Sequence, residues 1–341
     1  MQTDRDVLQD AWRALAGDGF GDGWRTIPIR RDGRFAMLAG RRFPEDVEAL
    51  LISVGGRVPL AGRQLPRGKG FRVDLVRHAV AGEGDEWICL SREKAGNVEM
   101  FARMVEDVAN VLEAAGGAGA EELFDRFVRR VAAWQSFMER GQDPVLGPDA
   151  EVGLFGELLV MEAMLAIGFA PADALAAWQG PLDGLHDFVF GQGAIEVKCT
   201  ASDDGFVVTA GSLEQLDPRL AHPLYLAGVR LRPDATGRSL PDVVESVRRR
   251  VDDNVAARAV LDTLLLRAGY VDAFAGRYSR RFDDERPLVI PVTDSLPVLT
   301  RDRVEAAIVQ ARYLLDLGRI GAGSVGLELA FEKLGVTSNG A

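Results

Sequence analysis

The sequence predicts a mixed α/β protein, and three observations carry that expectation. Short β-branched and aromatic runs separated by glycine-rich turns occupy residues 24–90. Two stretches with apolar residues at helical spacing follow, at 97–114 and 119–139. From about residue 150 the order becomes helix, strand pair, strand, short helix, strand, the succession of an α/β core.

The whole chain bounds the answer. Its 341 residues suffice for one large or two modest domains with a sizeable core. Composition, at 47% apolar and 27% charged, is that of a globular protein. No run of about 18 apolar residues occurs, so no membrane span is expected. A basic-then-apolar leader is absent at the N-terminus, which predicts a cytoplasmic protein. Cys89 and Cys199 have no metal-type spacing and read as buried thiols in a reducing compartment. The expected division is a β-rich N-terminal domain over 1–95, suited to contacting DNA or a partner, and a helical connector over 96–145. An α/β core over 146–235 and an α/β extension over 236–341 complete it.

In order, residues 3–16 read as a helix with Thr3 as N-cap and Val7, Leu8, Trp12 and Leu15 on one stripe. Strands are expected at Trp24–Ile29, Arg34–Leu38, Ala49–Val54, Phe71–Val76 and Glu86–Leu90. Pro59 to Gly70 reads as an exposed loop. In the second connector helix Phe124, Phe127, Val128, Val131, Trp134 and Phe137 recur as a core stripe. A helix over 150–167 follows with Asp149 as N-cap. Glu157 stands out in it, because Leu154, Val160 and Met161 put it on an apolar face. A buried carboxylate is costly unless paired or metal-bound. Gly153 and Gly156 each weaken that helix by about 1 kcal/mol relative to alanine, which implies close approach of a strand or a substrate. Trp178-Gln179-Gly180-Pro181 reads as a turn, with Trp178 a packing anchor. Phe206–Thr209 is a strand, Ser212 caps a short helix through Leu216, and Leu224–Leu231 is a further apolar strand. Residues 239–268 read as helical, Leu288–Val292 as a strand, and 302–317 as either.

The organising stretch is His186-Asp187-Phe188-Val189-Phe190-Gly191-Gln192-Gly193-Ala194-Ile195-Glu196-Val197-Lys198-Cys199. Two apolar runs flank Gly191-Gln192-Gly193, a hairpin signal. Side chains alternate along a strand, so Glu196 and Lys198 share one face. A two-residue loop sets Asp187 opposite Glu196, and a three-residue loop shifts the register by one. Two carboxylates can hold a hard divalent cation through oxygen ligands. A lysine beside them can orient water or stabilise charge developing on phosphorus. Lysine is scarce here: Lys69, Lys94, Lys198 and Lys333 are the only four among 40 basic residues. The alternative for Glu196 and Lys198 is a plain same-face ion pair.

Asp187 followed by Glu196-Val197-Lys198 resembles the metal-dependent nuclease signature of the PD-(D/E)XK superfamily. Glu151-Val152-Gly153-Leu154-Phe155-Gly156-Glu157-Leu158-Leu159 and Trp178-Gln179-Gly180-Pro181 add to the resemblance. Together they are similar to bacterial PD-(D/E)XK motif proteins encoded near restriction–modification and phage-defence genes. The motif block spans residues 150–235, and His186 stands where the pattern often has proline. The resemblance implies a restriction-endonuclease-like core and Mg²⁺-dependent hydrolysis of DNA, with Mn²⁺ able to substitute. It implies Asp187, Glu196, Glu157 and the Val197 carbonyl as metal ligands and Lys198 as the residue that positions water. A polar residue from the following helix would approach DNA or that water, and Gln215 is the candidate. It further implies DNA and proteins of a defence operon as partners, and a homodimer where both strands are cut. The alternative is a non-catalytic assembly subunit that binds a partner ATPase or helicase.

Charge and the remaining motifs bear on this. The net charge of −11 argues against a simple nucleic-acid binder. It is uneven, with 12 Arg/Lys against 5 Asp/Glu over 24–78 and 4 against 11 over 150–233. The basic segment, including Arg30, Arg31, Arg34, Arg41, Arg42, Arg63, Arg67, Lys69 and Arg72, is a phosphate-contacting candidate or a plain solvated surface. The Arg248-Arg249-Arg250 run reads as a solvated face, with a DNA or partner contact as the alternative. No P-loop and no Gly-x-Ser-x-Gly elbow occur. The three histidines, His78, His186 and His222, are too scattered for a zinc site.

Overall fold

A computed structural model describes residues 4–17, 21–32, 35–55, 57–60, 64–77, 86–115, 117–139, 145–202, 205–321 and 323–336. Thr3, Arg34, Arg63 and His78 lie outside the described residues. Two compact units divide the chain, Met1–Gln142 and Asp143–Ala341.

The first unit is an antiparallel sheet with helices. Its elements are α1 (Asp4–Leu15), β1 (Gly23–Asp32), β2 (Phe35–Phe43), β3 (Val47–Ser53), β4 (Arg67–Gly68), β5 (Phe71–Arg77), β6 (Glu86–Arg92), α2 (Val98–Ala114) and α3 (Ala120–Glu139). The sheet order is β1-β2-β3-β6-β5-β4. Pro28 cannot donate to a ladder, and it sits on the edge strand beside a bulge, where no donor is missed. All seven residues of β3 are buried, and Leu38, Leu51, Trp87 and Cys89 pack together there. On α3 the predicted stripe is buried except for Val128. Asp107 of α2 accepts from Arg130 at 2.5 Å and from the Trp134 indole at 2.6 Å, tying α2 to α3. Much of the basic segment is neutralised by neighbours. Arg30 meets Glu113 at 2.9 Å, Arg41 meets Asp46 at 2.5 Å and Arg72 meets Asp74 at 3.1 Å.

The second unit is built on a mixed sheet. Its elements are α4 (Pro148–Ala166), α5 (Pro171–Ala177), β7 (Phe188–Phe190), β8 (Gly193–Thr200), β9 (Val207–Ala210), β10 (Leu224–Arg238), α6 (Leu240–Val251), α7 (Val255–Ala268), β11 (Phe282–Asp284), β12 (Leu288–Pro291), β13 (Tyr313–Asp316) and α8 (Leu327–Lys333). The sheet runs β11-β10-β8-β7, with β12 also on β10, and β13 pairs β9 separately. β8 and β10 are parallel, with Glu196 beside Leu226, Lys198 beside Gly228 and Thr200 beside Arg230. One sheet face, with Ile195, Val197, Tyr225, Ala227 and Val229, packs in the same core as α4 and α6. The other carries Ala194, Leu224, Leu226 and Ile290 in a second core with β9 and β13. Among the described residues no helix is long and apolar enough to cross a membrane.

Four elements differ from the sequence expectation, each for a local reason. α4 begins at Pro148 with Gly147 as N-cap, which moves Asp149 into the first turn. Proline is preorganised for that position, and the carboxylate there still favours the helix dipole. No helix forms over Ser212–Leu216. The Ser212 hydroxyl accepts from the Glu214 amide, the bond a cap would also make, and the Gln215 side chain folds back to accept from the Gly211 amide, so the segment closes as a turn. The helical stretch 239–268 is two helices, because Asn254 caps a new one by accepting from the Ala257 amide. In 302–317, only Tyr313–Asp316 forms a strand before a short 3₁₀ turn starting at Leu317, and there is no α-helix.

Candidate active site

The β7–β8 hairpin sets the site. Phe188 pairs with Ile195, Val189 with Ala194 and Phe190 with Gly193, a two-residue loop with Gly191 at φ 58°. Glycine adopts that left-handed angle without the strain a Cβ brings. The same register carried one step further sets Asp187 across from Glu196. β7 begins at Phe188, so no strand pairs with Val197 on that side. Asp187 fills the gap: its Oδ2 accepts from the Val197 amide at 2.7 Å. In a strand a residue's N–H and C=O point to the same side. The Val197 carbonyl therefore also faces the opened edge.

Around this pair the other candidates assemble. Lys198 Nζ lies 2.6 Å from Glu196 Oε1, as their shared face requires. It also donates to Gln215 Oε1 at 3.1 Å, and the Gly211 amide holds the same oxygen at 2.8 Å. Gln215 thus sits in the site although its segment is a turn. Glu157 arrives from α4, and its Oε2 accepts from the Trp178 indole at 2.6 Å. Trp178 is fully buried, the packing anchor that the sequence predicts, and is also this donor. The Asp187 carbonyl accepts from the Gln179 and Gly180 amides at 2.8 and 3.2 Å, closing the turn over the carboxylates. A Cβ on Gly180 would lie 2.5 Å from Glu157 Oε2 and 3.3 Å from Asp187 Oδ1. Gly180 is therefore the floor of the carboxylate cluster, a role invisible in a Gly-Pro turn.

The two helix glycines part company. A Cβ on Gly156 would collide with Cys199 Sγ, so this glycine lets α4 approach β8. A Cβ on Gly153 would meet nothing within 4 Å.

The electrostatics of the cluster are unbalanced. Burial raises the Glu157 carboxyl to about 8, the charge of Asp187 adds to this, and the Trp178 hydrogen bond and Lys198 offset part of it. Burial likewise raises Glu196 to about 8, with Asp187 adding and Lys198 opposing. Asp187 is raised by burial and relieved by the Val197 amide and Lys198. His186 is buried and lowered by burial, with the Gln215 backbone opposing and Lys198 reinforcing, which favours the neutral ring. Three carboxyl groups, Glu196 buried and Glu157 and Asp187 partly buried, thus face one lysine.

That imbalance is the test of whether the residues suit a divalent cation. Glu196 Oε2 is buried with no hydrogen-bond partner, a donor atom left open beside Asp187. The carboxylates and the strand carbonyl form the hard-oxygen set that Mg²⁺ or Mn²⁺ takes. Among the described residues no group of three His, Cys, Asp or Glu is already gathered at ligating spacing. Lys198 and Trp178 hold Glu196 and Glu157 in hydrogen bonds instead. The residues fit the ion in chemistry, and binding requires Glu196 or Glu157 to turn from those bonds.

A family model described as "Putative PD-(D/E)XK family member, (DUF4420)" matches residues 8–318. The chain belongs to this PD-(D/E)XK family. No curated protein and no solved structure matches it. The match reaches into both units, well beyond the 150–235 block that carries the motifs. The mixed α/β second unit agrees with a PD-(D/E)XK-like fold. Membership in the PD-(D/E)XK family brings a nuclease-like class of function.

Proposed function

We propose that the chain is a Mg²⁺-dependent DNA endonuclease that hydrolyses phosphodiester bonds within a bacterial restriction or phage-defence system. The observation that supports this best is the convergence of Asp187 from the start of the hairpin, Glu196 and Lys198 from β8 and Glu157 from α4, with more carboxyl groups than Lys198 can pair. Asp187, Glu196, Glu157 and the Val197 carbonyl would hold the ion. When bound, Mg²⁺ would polarise the phosphoryl oxygen and lower the pKa of water, with Mn²⁺ able to substitute.

The chain's own residues do the rest. The Val197 amide fixes the Asp187 carboxylate in one orientation. Trp178 does the same for Glu157. Gln215 holds the Lys198 ammonium on the carboxylate side by accepting one of its protons. A second N–H meets Glu196, and Lys198 keeps one further N–H with which to orient a water or meet charge developing on phosphorus.

The test is cleavage of supercoiled, linear and single-stranded DNA with Mg²⁺ or Mn²⁺, beside Asp187→Ala and Lys198→Ala. Metal-dependent cleavage lost in both variants is the expected result; cleavage retained by Lys198→Ala would sink the mechanism. One observation favours a second reading, a non-catalytic subunit that docks on a partner ATPase or helicase. The net charge is −11, and Arg30, Arg41 and Arg72 are engaged by acidic neighbours. Wild-type chain that cleaves nothing alone would support that reading.

A further inference from the structure

Arg230 is a singular residue in this structure. Its Nε is buried and has no hydrogen-bond partner. Among the described side chains it is the one lysine or arginine that is not exposed and yet has neither an ion pair nor a hydrogen bond. The remaining unpartnered ones, such as Arg67, Lys69 and Arg249, are exposed. A partly buried guanidinium without a partner is unfavourable to the fold. Its retention on a strand otherwise lined by Leu224, Leu226, Ala227 and Val229 calls for a ligand.

Its position identifies that ligand's chemistry. β8 and β10 run parallel, so residues in register stand side by side on one face, about 4.8 Å apart. Arg230 stands beside Thr200, Gly228 beside Lys198, and Leu226 beside Glu196. Alternation puts Arg230, Lys198 and Glu196 on the same face. That face runs from the carboxylates, through Lys198, to Arg230 at the carboxyl-terminal end of the parallel pair. Each step along it is two residues, about 7 Å. Gly228 has no side chain of its own there and makes room for Leu317 and Phe206, which pack over it between Lys198 and Arg230. Carboxyl-terminal ends of parallel strands are where such sheets receive ligands. A planar guanidinium with five donors suits a phosphate diester.

We infer that Arg230 forms a phosphate subsite of the proposed DNA-cleaving centre. It holds a non-bridging oxygen of a phosphate neighbouring the one at Lys198, on the other side of the Phe206 and Leu317 side chains. This rests on the nuclease reading and goes beyond it, because it assigns strand binding to a residue outside the nuclease motif.

The experiment is fluorescence anisotropy of the full chain with fluorescein-labelled duplex and single-stranded DNA, in Ca²⁺, over a range of NaCl. Arg230→Ala, Arg230→Lys, Arg230→Met and the exposed control Arg249→Ala are compared with wild type, each with its melting temperature. Arg230→Ala and Arg230→Met should bind about tenfold more weakly, the loss of one charge-assisted contact. The slope of log K against log[salt] should fall by about 1. Arg230→Lys should keep the slope, and Arg249→Ala should match wild type. Melting temperatures of Arg230→Ala and Arg230→Met should equal or exceed the wild-type value, since no native partner is lost. Wild-type binding with unchanged affinity and slope in Arg230→Ala would overturn this subsite alone. So would weakened binding that follows a lowered melting temperature and is not restored by Arg230→Lys. Wild-type chain that binds neither probe would overturn the nuclease reading and the subsite together.

Discussion

Glu157→Gln should make the metal-free protein more stable and less active at once. Glu157 titrates at about 8 in the fold against an ordinary value of 4.5. A raised carboxyl pKa means that the folded protein keeps a proton the unfolded chain has released. Stability linked to that proton is fully present below pH 4.5 and is lost as pH rises through about 8. At about 1.4 kcal/mol per unit, the whole span is worth roughly 5 kcal/mol. Glutamine has nearly the same shape, and its carbonyl can still accept from Trp178 Nε1. It carries no charge to bury beside Asp187, but its added amide donors lack a partner, at a cost of about 1–3 kcal/mol. The net expectation at pH 8 is a gain of roughly 1–3 kcal/mol, turning to a loss of about 1–3 kcal/mol at pH 4.5, where only the amide cost remains. Urea denaturation in EDTA at several pH values measures this. A Glu157→Gln variant no more stable than wild type at pH 8, or displaced equally at every pH, would refute the account of an uncompensated carboxylate cluster.

Three further outcomes follow from the same geometry. Gly156→Ala should lose about 1–3 kcal/mol through overpacking against Cys199, and the Gly156→Ala/Cys199→Ala double variant should recover most of it in a urea melt. Gly153→Ala, with open space around its new methyl, should gain up to about 1 kcal/mol of helix stability. Mn²⁺ should raise the unfolding free energy more at pH 8 than at pH 5, because it competes with the protons on Glu157 and Glu196. At a hundred times its Kd the rise should reach about 2.7 kcal/mol at pH 8, and Glu196→Gln should abolish it.

The central hairpin was legible because strand alternation is local. Any strand through Ile195-Glu196-Val197-Lys198 must put Glu196 and Lys198 on one face, and the apolar flanks name the face that is buried. Glu157 was legible for the same kind of reason, as a charge at helical spacing among Leu154, Val160 and Met161. Gly156 announced a close approach, though not what approaches. The short helix at Ser212 misled because serine caps and serine turns use the same hydrogen bond. Which one forms depends on whether Gln215 is free, and here it is bound to Lys198 and Gly211.

By itself, then, the chain's order of residues determined the type and face of its chemistry: two carboxylates and a lysine on one side of a hairpin, and an α/β order around them. Alternation and helical spacing act over a few residues, so they can be read along a line. Only the tertiary structure decided the two-residue register that brings Asp187 to the Val197 amide, the indole that meets Glu157, and the glycine floor at Gly180. It alone set Arg230 beside Thr200 without a partner. A register is chosen by the packing of whole strands, and the presence or absence of a partner is a property of the space around a side chain. Neither is written in the neighbours along the chain.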